Sequence, residues 1–305
     1  MQKNSVNAFQ KKRMKDMIFC LCIIAVPAVQ FCIFYVGVNF NSILMAFQKV
    51  DIVNNRYVYK MAGLENFETM WFELKHGFEL PYAIKNSFIA FIVTVGVGTT
   101  LALFFSLYIF KGMAFSKTFR IILFAPSMIS AIVTVKMYEG FVETAFPAIF
   151  DSLDGSGLLS NLDTQFPTLL FFMVWVGFGT QILMYSGAMN SIDTSIIEAA
   201  KLDGANALRE FVSIILPLIY PTITTFLVVN LAGFFTNQMH LFSFYANGAD
   251  PTVSTIGYML FKRTRKGGIM EYPLLAAYSI AFTLIAAPVT MLGRKFLEKV
   301  GPKLE

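Results

Sequence analysis

Charged residues are scarce in this chain. Asp, Glu, Lys and Arg together make up 14% of its 305 residues, while hydrophobic residues make up 56%. A soluble domain carries about 25% charged residues, so this chain has too few to cover a water-soluble core. A soluble all-helical protein with an unusually apolar core is the alternative, but the apolar residues come in long blocks and not in narrow stripes. The composition predicts an all-α integral membrane protein.

Residues with reactive side chains are also few. The three cysteines, Cys20, Cys22 and Cys32, lie in one apolar block, which predicts packing and not a disulfide framework. The two histidines, His76 and His240, lack metal-ligand spacing. No Gly-x-x-x-x-Gly-Lys-Ser/Thr segment occurs, which excludes binding of ATP through a P-loop, and no nucleophile–base pair is visible. We therefore expect no metal, no cofactor and no catalytic site in the chain itself.

Six apolar blocks are long enough to cross a bilayer. A span needs roughly 20 mainly apolar residues, and a helix satisfies its own backbone hydrogen bonds in lipid. The first block exceeds the apolar core of about 7–15 residues in a signal peptide, so we expect it to remain as a helix. The third block contains Lys136 and Glu139, which at a spacing of three are expected to neutralise each other. The predicted spans are residues 17–38, 86–110, 119–142, 168–190, 212–236 and 274–293.

The distribution of basic residues predicts the orientation. With the N-terminus in the cytoplasm, the inner segments hold 14 Lys and Arg residues and the outer segments hold 9. Basic residues favour the cytoplasmic side, so both termini are predicted to face the cytoplasm. The outer loop 143–167 is acidic, which agrees, whereas the basic cluster Lys262, Arg263, Arg265 and Lys266 falls on the outer side, in conflict with the rule. The net charge of +5 is spread over loops beside apolar spans, which suits a membrane surface better than a nucleic acid.

These boundaries divide the chain into three parts. Residues 1–16 form a cytoplasmic N-terminal segment, residues 17–293 a six-helix membrane domain, and residues 294–305 a cytoplasmic tail.

One polar segment, residues 191–211, lies between the fourth and fifth spans on the predicted cytoplasmic side. Glu198 follows Ser195 by three residues, as in a capping box, which predicts a short helix over 195–202. Gly204 allows a sharp bend because it adopts a positive φ without steric penalty.

A second helical run, 205–215, then leads into the membrane. Pro217 and Pro221 fall in the first turns of the fifth span, where a missing amide donor costs least or produces a kink.

The polar segment resembles the EAA loop of binding-protein-dependent ATP-binding-cassette importers. The residues that carry the resemblance are Glu198-Ala-Ala, Asp203-Gly204-Ala205, Phe211, Ile215 and Leu216-Pro217. The resemblance implies a type I importer permease whose loop docks onto a separate ATPase subunit, which binds ATP and Mg²⁺. By the same resemblance, the residues in a cleft of that ATPase would be Glu198, Ala199, Ala200, Asp203 and Gly204.

Four further segments resemble the carbohydrate-uptake, maltose-type branch of this family, and the likeness extends over about residues 20–295. They are Gly63-Leu-Glu-Asn-Phe67, Asn86-Ser87, Arg120 with Pro126, and Trp175 with Gly179. The Gly-Gly-Pro usual after the fifth span is replaced here by Gly248-Ala-Asp-Pro251. The resemblance implies a bacterial plasma membrane, a second homologous permease, two ATPase domains, an extracellular solute-binding protein and a carbohydrate substrate.

Polar side chains inside spans are candidates for a solute path because they are costly in lipid and face a bundle interior or water. Asn230 and Asn237 are seven residues apart and share a helical face. Aligned on the EAA loop, they fall at substrate-contacting positions of maltose-type permeases. Interhelical hydrogen bonding is the alternative role for such residues. The other predicted path residues are Ser127, Trp175, Gly177, Thr180 and Gln181.

Three functions remain open at this point. An importer for sugars or oligosaccharides is favoured, and the same machine carrying a polyol or glycerol phosphate is the alternative. A secondary transporter driven by an ion gradient is less favoured because no inverted repeat is apparent. An integral-membrane enzyme is disfavoured, because the sequence offers no site residues for catalysis.

Overall fold

The computed structural model describes residues 2–150 and 157–302, with side chains described from residue 14 onward. The predicted N-terminal segment 1–16 and tail 294–305 therefore fall partly outside the described residues, as do Asp151 and Asp154 of the acidic loop. Two compact units make up the chain. One consists of the residues up to Met70 together with Gly267–Ile280, and the other of Trp71–Lys266 together with the residues from Ala281 onward.

Helices form most of the described chain, as the composition predicts. Five are long and apolar enough to cross a membrane, and a bent pair raises the number to as many as six. The helices are α1 (residues 2–46), α2 (Glu65–His76), α3 (Glu79–Phe110), α4 (Ser116–Met128), α5 (Ala131–Ile149), α6 (Leu162–Asn190), α7 (Thr194–Leu202), α8 (Ala207–Phe235), α9 (Leu241–Tyr245), α10 (Ile256–Lys266) and α11 (Tyr272–Val300).

Helix α6 is the centre of the second unit. Of its 29 residues, 13 are buried, and Leu169, Phe172 and Tyr185 are fully enclosed. The hydroxyl of Ser106 on α3 donates to the carbonyl of Ile182 at 3.1 Å, so polar contacts add to the apolar packing. Lipid tails are as apolar as the side chains, so the hydrophobic effect does not drive helices together in a bilayer. Close packing and interhelical hydrogen bonds such as this one hold them together instead.

The third predicted span, 119–142, is not one continuous helix, and that expectation is wrong. Helices α4 and α5 meet at an angle of 105° across a two-residue break. Pro126 removes one backbone donor near the end of α4, and Ile129 is extended. The carbonyl of Ser130 then accepts both the amide of Thr134 at 3.0 Å and its hydroxyl at 3.2 Å. One carbonyl at the break thus has two hydrogen-bond partners.

The predicted neutralisation of Lys136 by Glu139 is confirmed. On α5, Nζ of Lys136 lies 2.6 Å from Oε2 of Glu139.

A β-hairpin in the first unit was absent from the sequence-based expectation, which assigned residues 39–85 to an outer loop. Strand β1 (Gln48–Val53) pairs antiparallel with β2 (Arg56–Met61). Asn54 and Asn55 form the two-residue turn with φ of 50° and 61°. Asn tolerates this left-handed conformation, and two such residues make the turn type that matches the twist of a hairpin. The feature of the sequence that indicates this hairpin is the Asn54-Asn55 pair between the two strands.

A segment after α8 forms a strap, residues 250–256, held against the start of α3. The side-chain amide of Asn86 donates to the carbonyls of Thr252 and Ser254 at 2.7 and 2.9 Å. The hydroxyl of Ser87 accepts the last amide of the strap at 3.0 Å. Asn86 and Ser87 thus supply hydrogen-bond partners for backbone groups of the strap, which would otherwise be buried without partners.

The basic cluster on α10 is largely neutralised within the second unit. Two of its members form ion pairs with carboxylates, and a third lies over an aromatic ring. The rule for orientation counts Lys and Arg and not net charge, so the conflict with the predicted orientation stands. The contacts are Lys262 with Glu79, Nη2 of Arg263 with Oε2 of Glu73 at 2.9 Å, and the guanidinium of Arg265 over the ring of Phe242 at 5.0 Å.

The close approach of α4 and α6 depends on one glycine. A Cβ atom at Gly179 would lie 2.6 Å from the carbonyl oxygen of Leu123. We therefore expect Gly179→Ala to push the helices apart and to lower the free energy of unfolding by about 1–3 kcal/mol. A Cβ at Gly177 on the same helix meets nothing within 4 Å, so Gly177→Ala is the control. Thermal unfolding in detergent compares the two, and equal midpoints would contradict the tight contact.

Candidate functional site

The loop between α6 and α8 begins with a defined helix cap. The carboxylate of Asp193 accepts the amide of Ser195 at 2.9 Å, and α7 starts at Thr194. This hydrogen bond lowers the pKa of Asp193 from its ordinary value. The predicted capping box on Ser195 is thus wrong in detail, because the residue two positions earlier caps the helix.

Gly204 ends the same helix, as predicted, with φ of +76°. The amide of Ala205 donates to the carbonyl of Ala200 at 3.0 Å, and the amide of Gly204 donates to that of Lys201 at 3.1 Å. This pair of bonds is the Schellman motif, which requires a left-handed residue at the glycine position. The length of α7 is therefore fixed at both ends.

The surface of α7 is divided between an inner and an outer face. Ile197 and Ala200 are buried, with exposures of 9% and 6%. Leu202 is 90% exposed, and Ile196 is also exposed, although both are apolar. Of the five residues predicted to contact an ATPase, Ala200 faces inward, while the exposed ones are Glu198, Ala199, Asp203 and Gly204.

A buried ion pair ties this loop to α3. Nζ of Lys111, directly after α3, lies 2.5 Å from Oε1 of Glu210 near the start of α8. The side chain of Glu210 is only 3% exposed. A lysine also suits the C-terminal end of a helix, where the backbone dipole is negative. Sequence reasoning missed this pair, because the two residues are 99 positions apart and neither spacing nor motif connects them.

The entry of α8 into the apolar region is accommodated by a wider turn. Residues Phe211–Ile215 form a π-helical turn, and Pro217 follows in the first residues of the next regular turn. Because proline lacks an amide donor and its ring crowds the preceding turn, a local widening relieves both problems. Pro217 is the second residue of the regular helix that follows this turn, and its position at the start of a membrane span stays a prediction.

At the other end of α8, the structure brings the two predicted asparagines together. Asn230 and Asn237 both line a cavity of about 220 Å³, which we call the outer cavity. The Nδ2 atom of Asn230 is buried and has no hydrogen-bond partner among the described residues. Phe91 and Phe234 supply aromatic walls, with ring centroids 5.9 Å apart. Amides beside aromatic faces form a surface suited to hydroxyl groups on an apolar ring.

The remaining predicted path residues lie elsewhere. Trp175 packs 6.1 Å from the ring of Tyr138, and Ser127 donates to the carbonyl of Phe124 at 2.7 Å. Gln181 is buried, whereas Gly177 and Thr180 are on the exposed face of α6. None of these five lines the outer cavity.

Asn237 is held in place by the end of the strap and the first turn of α10. The hydroxyl of Thr255 donates to the carbonyl of Asn237 at 2.8 Å. The Asn237 side chain accepts the amide of Met239 at 2.9 Å. A Cβ at Gly257 would lie 2.5 Å from the backbone of Thr236, so α10 rests directly on this segment. Thr255 and Gly257 thus position the outer cavity without lining it, and the sequence alone offered no signal for that role.

The chain belongs to a family of membrane transport proteins. The profile of the family described as "binding-protein-dependent transport system inner membrane component" matches residues 94–305, which is more than half of the chain. The chain is therefore a member of this family, as the polar loop and the apolar helices predict.

Curated relatives are transport permeases. The chain is 21% identical over 247 residues to the multiple sugar-binding transport system permease protein MsmF of Streptococcus mutans serotype c, with 80% of this chain and 83% of the relative covered. It is 27% identical over 274 residues to the sn-glycerol-3-phosphate transport system permease protein UgpA of Escherichia coli O6:K15:H31, with 87% and 89% covered.

Solved structures share the fold. A chain of a bacterial ABC transporter involved in the import of the acidic polysaccharide alginate superposes with a TM-score of 0.77 at 18% identity, covering 95% of this chain and 98% of that one. A second chain, from a bacterial alginate ABC transporter in complex with alginate pentasaccharide-bound periplasmic protein, gives 0.72 at 20% identity, with 91% and 93% covered. The fold is that of a type I ABC-importer permease.

The buried pair of Lys111 and Glu210 can be tested by charge reversal. We expect Lys111→Glu and Glu210→Lys each to lower the free energy of unfolding by about 3–5 kcal/mol, because each leaves a buried charge opposite a like charge. The double reversal should recover most of this loss. Thermal unfolding of the four forms gives the coupling energy.

The exposed pair of Lys60 and Asp51 on the hairpin, 2.9 Å apart, provides the control for this charge reversal. Reversing both should change the free energy of unfolding by no more than about 1 kcal/mol, since pairs exposed to water contribute little. Additive effects of the two single reversals at Lys111 and Glu210 would contradict the pairing.

Proposed function

We propose that this chain is the transmembrane permease subunit of an ATP-driven importer for a sugar or oligosaccharide. The observation that carries the proposal is the outer cavity, where Asn230 and Asn237 meet the aromatic walls of Phe91 and Phe234. Membership in the binding-protein-dependent family and the sugar-binding names of relatives support it.

Neutral, hydroxylated solutes fit the outer cavity better than phosphorylated ones. The residues that line it include no lysine, arginine or histidine. A phosphate group is usually bound by arginine, lysine or backbone amides, and the outer cavity offers none of those side chains. Glycerol phosphate, which a relative's name specifies, therefore remains the second candidate and would need cationic groups from another subunit.

Energy would come from a separate subunit through α7. The chain has no P-loop, so ATP and Mg²⁺ would be bound by a partner ATPase. The exposed apolar side chains Leu202 and Ile196 are costly in water and suit a docking surface. Glu198, Ala199 and Asp203 would enter the ATPase cleft, with Gly204 setting the direction of the chain and Ala200 anchoring α7 from its inner face.

The complete machine would contain further chains. A second homologous permease, two ATPase domains and an extracellular solute-binding protein would complete it, as the family description and the solved complex with a periplasmic protein support. We place the chain in a bacterial plasma membrane with both termini and α7 in the cytoplasm. Alternating access would then expose the outer cavity first outward and later inward.

A co-purification from mild detergent tests the coupling role of α7. We expect wild-type chain to carry a second permease and a P-loop ATPase. Gly204→Val should lose the ATPase and ATP-driven uptake, because a β-branched residue resists φ of +76°. Gly204→Asn is the matched control, since Asn tolerates this conformation, and a Cβ there meets nothing within 4 Å.

The results separate the proposal from an ion-driven transporter. Normal ATPase recovery with Gly204→Val would contradict the coupling role of the Schellman motif. Uptake in vesicles that depends on an ion gradient and not on ATP would overturn the importer itself.

The outer cavity gives a separate prediction for solute affinity. We expect Asn230→Ala to raise KM for uptake about tenfold, because it removes an amide that lines the outer cavity and has no protein partner. Asn39→Ala, which removes an exposed amide on α1, should leave KM unchanged. Uptake kinetics over a concentration series measure both, and equal KM values would remove Asn230 from the path.

A further inference from the structure

A buried methionine of α6 lies behind two of the residues that line the outer cavity. Met173 is 8% exposed. Its sulfur lies 3.4 Å from Nδ2 of Asn237 and 4.0 Å from the hydroxyl oxygen of Thr94. Thr94 on α3 and Asn237, two residues after α8, both line the outer cavity. Two donors from different parts of the chain therefore converge on one sulfur atom.

Thr94 is partnered differently from other threonines in the helices of this protein. The hydroxyls of Thr100, Thr168 and Thr225 each donate to the carbonyl four residues earlier in the same helix. Such a bond needs no neighbouring helix. The hydroxyl of Thr94 instead points across to α6, so its direction depends on Met173.

The backbone around Thr94 brings the two helices close together. Residues Thr94–Gly98 form a π-helical turn within α3, and such turns are frequent at functional sites. Gly98 is buried, and a Cβ atom there would lie 3.9 Å from Cγ1 of Val174 on α6. Helices α3 and α6 are thus in contact beside the pair of Thr94 and Met173.

The chemistry of sulfur makes this arrangement suited to an exchange of partners. A thioether sulfur is only a weak acceptor, and the contact with Thr94 is long. A hydroxyl oxygen of a solute accepts more strongly and carries two lone pairs. Asn237 is exposed, so a solute in the outer cavity can reach its amide. Replacing the sulfur by a solute oxygen as the acceptor therefore favours the bound state.

We propose that Met173 is a positioning residue for the transported solute. Its sulfur holds the amide of Asn237 and the hydroxyl of Thr94 beside the outer cavity, and both donors pass to oxygen atoms of the solute when it binds. Without the sulfur, the hydroxyl of Thr94 would turn back to the carbonyl of Ala90, four residues earlier. This inference rests on the proposed function, because it assigns a role in binding the same hydroxylated solute.

Removal of the sulfur tests this role in the assembled importer, reconstituted in proteoliposomes with its ATPase and its solute-binding protein. Met173→Leu removes the acceptor at nearly constant volume, which protein cores tolerate. Met189→Leu is the matched control, because Met189 is fully buried on the same helix, about 24 Å further along its axis. ATP-driven uptake is measured with maltose, a maltooligosaccharide, sucrose, raffinose, alginate oligosaccharide and sn-glycerol 3-phosphate.

We expect Met173→Leu to raise KM for a transported sugar roughly threefold to tenfold, with kcat changed by less than about twofold. Met189→Leu should change neither. Thr94→Val should also raise KM, whereas Thr94→Ser, which keeps the hydroxyl, should not. The double variant Met173→Leu/Thr94→Val should have the KM of Met173→Leu alone, because the hydroxyl of Thr94 acts through the sulfur.

Singly deoxygenated forms of the transported sugar separate positioning from packing. We expect one form for which wild type and Met173→Leu have the same KM, because the oxygen that accepts from Thr94 and Asn237 is missing. A packing defect would raise KM by the same factor for every form, and that result would overturn the inference.

Failure of the inference and failure of the proposed function give different results. Uptake of a sugar with the same KM in wild type and in Met173→Leu overturns the role of Met173 and leaves the importer intact. Uptake of sn-glycerol 3-phosphate alone, or of none of these solutes, overturns the sugar assignment, and the role of Met173 falls with it.

Discussion

Hydrogen bonding of the backbone is the constraint on which the rest of this structure depends. Inside a bilayer no water is available for an unpaired amide or carbonyl, so the chain must provide every partner itself. Long helices meet this demand, and two irregular segments show how partners are found outside a helix. The backbone carbonyl of Ser130 accepts two hydrogen bonds at the break between α4 and α5, and the side chain of Asn86 donates to two carbonyls of the strap.

Helix α8 brings together the features on which transport would depend. Its start follows the loop that contains α7 and carries Glu210, and its end carries Asn230 of the outer cavity. In the proposed importer, a rotation or shift applied at α7 would reach this cavity through one element. The π-helical turn Phe211–Ile215 lies between the loop and the cavity.

The apolar blocks and the loop motif made much of the fold predictable. The lengths of the apolar blocks predicted the long helices. The position of Gly204 after a short predicted helix predicted the bend there. The break at Ile129 was missed because Pro126 inside an apolar run is compatible with either a kink or an end. The hairpin was not predicted because its turn is Asn54-Asn55, a weaker signal than the Asn-Gly or Asp-Gly pair typical of such turns. The Lys111–Glu210 pair and the contact of Thr255 with Asn237 join distant parts of the sequence, so no local pattern predicts them.

Helices α3 and α8 run in opposite directions and are joined at both ends. At one end Lys111 pairs with Glu210, and at the other the strap connects Asn86 to the segment that holds Asn237. Two rods fastened at both ends cannot slide past each other or splay apart at one end alone. They behave as one stiff frame, so a conformational change would tilt this frame as a whole and would carry with it the outer cavity, which α3 and α8 line between them.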